Sequence, residues 1–164
     1  LTAEYAAIPA EMKSVAAYFE KDVLRDVDEQ EFYARLADVR KAVGDRAVLR
    51  AMHFFDENRR VQMQVRALKN DNFAVFLNYV NESGNASWEL LQNITPLGAT
   101  AHQEMAFTLA LCRKLLGGEG AVRVHGGGFA GTVLAFVPNE QFEQFKNAMD
   151  SAIGSGSTQK LHIR

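Results

Sequence analysis

The chain has 164 residues, with 18 lysines and arginines against 20 aspartates and glutamates, so its formal net charge is −2. This balance excludes a protein that coats nucleic acid or a polybasic membrane-surface protein, because both need an excess of positive charge. Hydrophobic residues make up 48% of the chain, which suits one domain with a proper core. The single cysteine, Cys112, excludes an internal disulfide and a cysteine-based metal cluster.

The sequence predicts neither a membrane span nor a signal peptide. No apolar run approaches the ~20 residues of a membrane helix, and the start lacks a basic region followed by an apolar stretch. We therefore expect a reduced, cytoplasmic protein. Because the chain begins at Leu1 rather than at methionine, we expect a mature product or a fragment of a longer protein.

The first part of the chain, about residues 1–117, is predicted to be helical. Apolar residues recur there at helical spacing, and only Gly44 of the 12 glycines precedes Gly84. The segment Val61–Val65 also alternates like a strand, but Leu68 continues the helical stripe, which favours a helix. The predicted helices run from Pro9 to about Lys21, from an Asp28 cap to Gly44, over Asp45–Lys69, from an Asp71 cap to near Gly84, over Ser87–Ile94 and over Ala99–Leu116.

The remainder, about residues 118–164, is predicted as β-loop-β-α-β, because the apolar period changes from 3.6 to two after Gly118. The fold class is therefore α+β, with a small antiparallel sheet. If a fourth strand completes this sheet, it lies upstream of Leu1. The predicted elements are strands at Ala121–Val124, Thr132–Val137 (central in the sheet) and Gln159–Arg164, and a helix from an Asn139 cap to Gly154.

A glycine-dense turn joins the first two predicted strands. Residues Gly126–Gly131 satisfy the spacing G-x-G-x-x-G, but a strand follows, whereas a dinucleotide-binding motif needs a helix there. A P-loop is also excluded, because no lysine precedes Thr132. Two interpretations stay open: a turn whose backbone N–H groups bind an anion, and a glycine hairpin that serves packing alone.

The segment Glu119–Thr132 resembles the third conserved motif of galactokinases, kinases of the superfamily that also holds homoserine, mevalonate and phosphomevalonate kinases. The family pattern is roughly G-A/G-x-R-M-T-G-G-G-F-G-G. Further elements resemble family segments in the same order along most of the chain. They are Glu4-Tyr5, Leu24-Arg25-Asp26-Val27 with Glu31-Phe32, Glu57-Asn58-Arg59-Arg60 with Ala67-Leu68, and Asn81-Glu82-Ser83.

The resemblance implies that residues 1–164 form a galactokinase-like C-terminal domain, helix-rich and ferredoxin-like in two layers. It implies an ATP- and Mg-dependent transfer of the γ-phosphate to a hydroxyl of galactose or a related sugar, in a cleft between two domains. Tyr5 is then the candidate substrate contact. The residues expected to line the phosphate side of the ATP cleft are Gly126, Gly127, Gly128, Phe129, Ala130 and Gly131.

The family's phosphate loop and its catalytic Asp and Arg, which belong to an N-terminal ATP-loop domain, have no counterpart in these 164 residues. We therefore expect no catalytic residue and no metal ligand in this chain. We also expect no bound ATP or Mg and no kinase activity from the chain alone. The face that would meet the N-terminal domain is expected to be apolar near Gly126–Gly131 and to favour self-association.

The sequence departs from the family pattern at several positions. His125 replaces the Thr before the triple glycine, Ala130 replaces a Gly, and Ile8-Pro9 replaces an Arg pair, so the identity of the sugar stays open. Ala130 resists a positive φ.

The alternative function is a stand-alone ferredoxin-like ligand-binding or regulatory domain, which needs no catalytic residue. His53 is predicted to lie on a helix flank.

Overall fold

Seven α-helices and one pair of strands make up the part of the chain that the computed structural model describes, residues 1–162. Three short turns of other helix types lie between them: 3₁₀ turns at Leu24–Asp26 and Asn139–Gln141, and a π-helical turn at Ser87–Leu91. The main elements are α1 Thr2–Tyr18, α2 Glu29–Ala34, α3 Leu36–Val43, α4 Asp45–Lys69, α5 Phe73–Ala86, α6 Glu104–Leu116, β1 Ala121–His125, β2 Thr132–Phe136 and α7 Phe142–Ile153.

The buried apolar side chains form two clusters. The first lies among α1, α2, α3 and the N-terminal half of α4 and is centred on Val15, Phe32 and Val39. The second lies among α6, α7 and β1, with Cys112 and Met149 at its centre. Since α4 packs on α1 and α3 and also on α5, which itself contacts β1, this long helix connects the two cores.

The sheet is a two-stranded antiparallel pair, in register from Ala121 opposite Phe136 to His125 opposite Thr132. Helix α5 lies directly against β1. A Cβ on Gly84 would sit 2.8 Å from the carbonyl oxygen of Val122, so only glycine permits this approach. The register fixes where β1 ends, and therefore where the glycine-dense turn begins.

Several predictions from the sequence are confirmed. The fold is α+β with a small antiparallel sheet, α4 occupies the predicted residues, and Gly44 ends α3 with φ +89°. The side chain of Asp28 caps α2 by accepting from the Glu31 N–H at 2.8 Å. Because α4 includes residues 61–65, the alternating segment Val61–Val65 is helical, as predicted. The side chains of Val61, Val65 and Leu68 are nevertheless about half exposed.

Other element boundaries were predicted wrongly. Helix α1 begins at Thr2, so Pro9 lies inside the helix rather than at its start. The predicted helix from Asp28 to Gly44 is two helices, because the chain leaves helical geometry at Arg35. The cap of α5 is Asn72, which accepts from the Val75 N–H at 3.3 Å, while the preceding Asp71 has a φ of +51°.

The C-terminal elements differ as well. Helix α6 begins at Glu104 rather than at Ala99. Residues 99–103 form no helix, and the Gln103 side chain donates to the carbonyls of Ala99 and Thr100. β2 pairs with β1 alone among residues 1–162, so it is an edge strand rather than central. Residues 159–162 form no strand, and the rest of the predicted strand Gln159–Arg164 lies outside the described residues. No helix of residues 1–162 has the length and apolar character needed to span a membrane.

Candidate functional site

The glycine-dense turn, residues 126–131 and hereafter the glycine hairpin, connects β1 to β2 at the end of the sheet. Its backbone takes the left-handed region at Gly126, Gly128 and Phe129, with φ of +74°, +86° and +53°. Ala130 is not among the positive-φ residues. Ala130 is therefore free of the strain that a positive φ would impose, whereas Phe129 takes a left-handed φ.

Some backbone N–H groups of the glycine hairpin donate hydrogen bonds within the chain, and others have no acceptor among residues 1–162. The Phe129 N–H donates to the Asn93 carbonyl at 2.7 Å, and the Gly131 N–H donates to the Gly128 carbonyl at 3.0 Å. Within residues 1–162, no acceptor faces the amides of Gly126, Gly127 and Ala130, all of which are exposed residues. The free N–H groups of the adjacent residues Gly126 and Gly127 can bind an anionic oxygen.

Tyr5, on the first turns of α1, lies against the glycine hairpin. Its hydroxyl donates to the Gly128 carbonyl at 2.9 Å, and its ring meets the Phe129 ring edge-on at 5.3 Å. A Cβ on Gly127 would come within 2.9 Å of the Tyr5 ring. Since the hydroxyl proton is used on Gly128, Tyr5 has only oxygen lone pairs to offer a ligand.

Asn93 also contacts the glycine hairpin. It follows Gln92, a left-handed residue (φ +56°) that terminates the π-helical turn, and it is 2% exposed. Its side-chain Nδ2 donates to the Gly127 carbonyl at 3.4 Å. A Cβ on Gly128 would overlap the Asn93 carbonyl oxygen and lie 2.7 Å from Nδ2. The sequence analysis did not single out Asn93, because its role depends on a contact between residues 34 positions apart.

Two acidic side chains of α1 tie the site to its surroundings. Glu4 accepts from the Leu97 N–H at 2.8 Å and so holds the loop after Asn93. Glu11 binds Arg46 at 2.9 Å and the fully buried Arg50 at 2.7 Å. Arg50 also donates through Nε to the Leu91 carbonyl at 3.0 Å, two residues before Asn93. Helices α1 and α4 therefore fix both ends of the 91–97 segment.

In this cluster, burial and ion pairing shift the pKa values of Glu11 and Arg50 in opposite directions. Burial alone would raise the pKa of Glu11, but the hydrogen bonds and charges of Arg46 and Arg50 outweigh it and lower the pKa below its ordinary value. Burial lowers the pKa of Arg50, and Glu11 opposes this. The Nη2 of Arg50 is buried with no partner among residues 1–162, so the cluster depends strongly on Glu11.

A second polar cluster anchors β1 to the helices. Arg123 donates through Nη1 to the Ser83 hydroxyl at 2.6 Å, and this hydroxyl donates to Glu57 at 2.5 Å. Arg60 forms an ion pair with the same Glu57 carboxylate. These residues come from three of the segments that resemble galactokinases, yet none of them contacts the glycine hairpin. Their shared role is to hold α4, α5 and β1 together.

His53 lies beside this second cluster and is buried, not on a flank as predicted from the sequence. Burial lowers its pKa, the charges of Arg60 and Arg123 lower it further, and Glu57 and Asp56 partly oppose this. Its Nδ1 has no hydrogen-bond partner among residues 1–162. His125, at the start of the glycine hairpin, is exposed and lies 3.3 Å from the Thr132 hydroxyl.

Neither of two surface concavities in the described residues is lined by the glycine hairpin. The larger one, about 500 Å³, is an open groove between residues 24–29 and the part of α4 from Phe54 to Gln62. A smaller one of about 200 Å³ is lined by Trp88, Gln92, Ile94 and Thr95, next to Asn93 in sequence. In the described part of the chain, no group of three or more His, Cys, Asp or Glu residues could hold a metal ion.

Known proteins similar to this chain are galactokinases. The galactokinase of Glaesserella parasuis serovar 5 is 30% identical over 146 residues, which cover 89% of this chain and 36% of that enzyme. The galactokinase of Actinobacillus pleuropneumoniae is 29% identical over the same shares. The chain is homologous to the C-terminal region of galactokinases. No protein-family model matches it.

The fold agrees with this homology. The crystal structure of Lactococcus lactis galactokinase complexed with galactose superposes with a TM-score of 0.70, over 90% of this chain and 36% of that enzyme, at 22% identity. The resemblance to galactokinases that the motifs indicate is thus confirmed, as is the helix-rich α+β fold. The chain spans about 36% of the length of the galactokinases it matches.

The structure brings together the predicted site residues. Tyr5 touches Gly127, Gly128 and Phe129, although more than 120 residues separate them in sequence. Gly126, Ala130 and Gly131 complete the exposed rim of the same turn. Their role in binding ATP or sugar is a proposal, taken up next.

Proposed function

We propose that residues 1–164 form the C-terminal domain of a galactokinase-like, ATP-dependent sugar kinase that acts in the cytoplasm. The observation that carries this proposal is the similarity to galactokinases over 146 residues, which includes the glycine hairpin. The Lactococcus lactis enzyme of the same fold was solved with galactose, which supports galactose or a related sugar as substrate.

In this proposal the glycine hairpin lines the phosphate side of the ATP cleft. The exposed amides of Gly126, Gly127 and Ala130 are donors for phosphate oxygens, and the absence of side chains at the glycines lets phosphates approach the backbone. Phosphoryl transfer depends on positioning and on stabilising charge, and fixed backbone amides provide both.

Tyr5 is proposed as the sugar contact. Its ring is 39% exposed beside the hairpin, and its oxygen can accept a hydrogen bond from a sugar hydroxyl while its own proton stays on Gly128. One tyrosine thus borders both the sugar and the phosphate sides of the proposed cleft.

The rest of the catalytic machinery is proposed to come from an N-terminal kinase domain. The only ionisable side chain from residue 125 to 131 is His125, so the hairpin supplies no Lys or Arg to balance a triphosphate. Among the described residues, no group of three or more His, Cys, Asp or Glu side chains could hold a metal ion. We therefore propose that the chain alone is inactive, and that the exposed face around the hairpin binds that domain or a second copy.

Complementation tests this function. The chain is mixed with the part of Glaesserella parasuis galactokinase that has no counterpart in it, and ADP release is measured with ATP, Mg and galactose. Sugar-dependent ADP from the mixture, and none from either part alone, supports the proposal. ADP from the chain alone contradicts the proposed division of labour, and specific ligand binding without ADP in any mixture favours a binding module.

A further inference from the structure

We infer that Asn93 is a positioning residue that holds the glycine hairpin in the conformation its proposed phosphate contacts require. The inference rests on the proposed function for its catalytic meaning, but its structural part can be tested independently. Asn93 comes from the 91–97 segment, which none of the predicted site residues belongs to.

Asn93 contacts three consecutive residues of the hairpin in three different ways. Its carbonyl accepts from the Phe129 N–H at 2.7 Å, and its Nδ2 donates to the Gly127 carbonyl at 3.4 Å. Its carbonyl also closes the space where a Cβ of Gly128 would stand. These contacts define both the direction of the turn and the residue type that fits at its centre.

The contacts of Asn93 leave the outer amides of the hairpin free. Asn93 uses the Phe129 N–H and the Gly127 carbonyl, so the open donors of Gly126, Gly127 and Ala130 are turned away from the protein's own acceptors. Tyr5 fixes the remaining inner group, the Gly128 carbonyl. The two residues therefore bind different backbone groups of the hairpin.

Asn93 is itself held in place. Arg50 donates to the Leu91 carbonyl at 3.0 Å, and Glu4 accepts from the Leu97 N–H at 2.8 Å, so both ends of its segment are bonded to helices. Its Oδ1 is buried with no partner among the described residues, so its amide group is kept at a cost in solvation. A residue that served packing alone would need no such amide.

Amide hydrogen exchange on the full 164-residue chain tests the structural part. Asn93→Ala keeps the main-chain carbonyl that accepts from the Phe129 N–H and removes only the Nδ2 donor to the Gly127 carbonyl. If this side-chain bond holds the hairpin, we expect the amides of Phe129 and Gly131 to exchange at least tenfold faster than in the original chain, with the amides of α4 unchanged. Asn93→Asp keeps the size but replaces the donor by an acceptor facing the Gly127 carbonyl, so it should give the same loss. Hairpin amides that exchange in both variants at the rate of the original chain would overturn the inference.

The matched control is Asn81→Ala. Asn81 also bridges two backbone groups, accepting from the Val122 N–H at 3.0 Å and donating to the Gly120 carbonyl at 3.3 Å, at the far end of β1. We expect it to reduce overall stability without a selective rise at Phe129 and Gly131. If Asn81→Ala speeds hairpin exchange as much as Asn93→Ala does, Asn93 has no special positioning role.

Kinetics in the complemented enzyme test the catalytic part. Asn93→Ala should raise the KM for ATP at least tenfold and leave the KM for galactose within about twofold, whereas Asn81→Ala should leave both unchanged. An unchanged KM for ATP overturns the positioning role. If no mixture releases ADP even with the original Asn93, the proposed function fails, and the exchange result still decides whether Asn93 holds the hairpin.

Discussion

The hydroxyl of Tyr5 donates to the carbonyl of Gly128 at 2.9 Å, across 123 residues of sequence. This bond joins the first helix, which contributes to one hydrophobic core, to the glycine hairpin, which follows a strand of the other. The first core includes Val15 of α1, and the second includes Val124 at the end of β1. Tyr5 therefore sets the position of the hairpin relative to the helical part of the chain.

Removing this hydroxyl should loosen the hairpin without unfolding the chain. Tyr5→Phe keeps the edge-on contact with Phe129 and loses one hydrogen bond, so we expect a loss of about 0.5–1.5 kcal/mol. Urea denaturation measures the change. Tyr33→Phe is the control, because Tyr33 is 40% exposed and its hydroxyl has no hydrogen-bond partner within residues 1–162. Equal losses in the two variants would contradict the role given to Tyr5.

Two glycines of the hairpin should differ sharply in their tolerance of alanine. Gly126 and Gly128 both have positive φ, so alanine strains either backbone by about 1–2 kcal/mol. At Gly126 a Cβ meets open space, whereas at Gly128 it overlaps the Asn93 carbonyl. We expect Gly128→Ala to cost about 1–3 kcal/mol more than Gly126→Ala, measured by thermal unfolding. Similar costs would mean that Asn93 does not confine the hairpin.

The buried Arg50 should contribute far more to folding stability than an exposed arginine that also has an acidic partner. Arg50→Ala leaves Glu11 with one partner fewer and the Leu91 carbonyl unbonded, so we expect a loss of about 3–5 kcal/mol. Arg40→Ala removes a two-bond pair with Asp45 in which both side chains are mostly exposed, and should cost far less stability because water screens the pair. Denaturant titration compares the two, and a loss below about 1 kcal/mol for Arg50→Ala would contradict the role of the cluster.

The buried His53 should make stability depend on pH in the mildly acidic range. Its pKa is lowered by burial in the folded state, so below about pH 6.5 the unfolded chain binds a proton that the folded chain does not. Stability should therefore be greatest above this value and should fall as the pH drops from 7.5 to 5.5.

Melting temperatures at the two pH values measure this dependence. In His53→Gln the difference should shrink, while in His102→Gln it should stay, since the His102 side chain is 88% exposed. An unchanged pH dependence in His53→Gln would show that His53 is not the titrating group.

Local patterns in the sequence predicted those parts of the fold that local physics determines. The apolar stripe of α4 fixes a helix over 25 residues, and the glycines at 44 and 117 end helices because their positive φ suits glycine. The sequence predicts a helix start at Pro9, but contacts of α1 with the rest of the chain, through Tyr5 and Glu11, favour helix on both sides of it. Such tertiary contacts override local preference.

The candidate site could be predicted only in part. The hairpin and Tyr5 were found because they resemble family motifs, and the structure places them together. Asn93 and His53 could not be found, because burial and long-range bonds define their roles, and neither leaves a local pattern. The exposure of Val61, Val65 and Leu68 could not be predicted either, since an apolar stripe on a helix does not indicate which other element packs on it.

In the proposed function, the glycine hairpin forms the phosphate-side wall of the ATP cleft of a sugar kinase. The most direct measurement is sugar-dependent ADP release by a chimera of Glaesserella parasuis galactokinase in which this chain replaces the matching segment. We predict ADP release that requires galactose or a related sugar and that Gly128→Ala reduces at least tenfold. A folded chimera that releases no ADP with any such sugar, or one that Gly128→Ala leaves fully active, would contradict the claim.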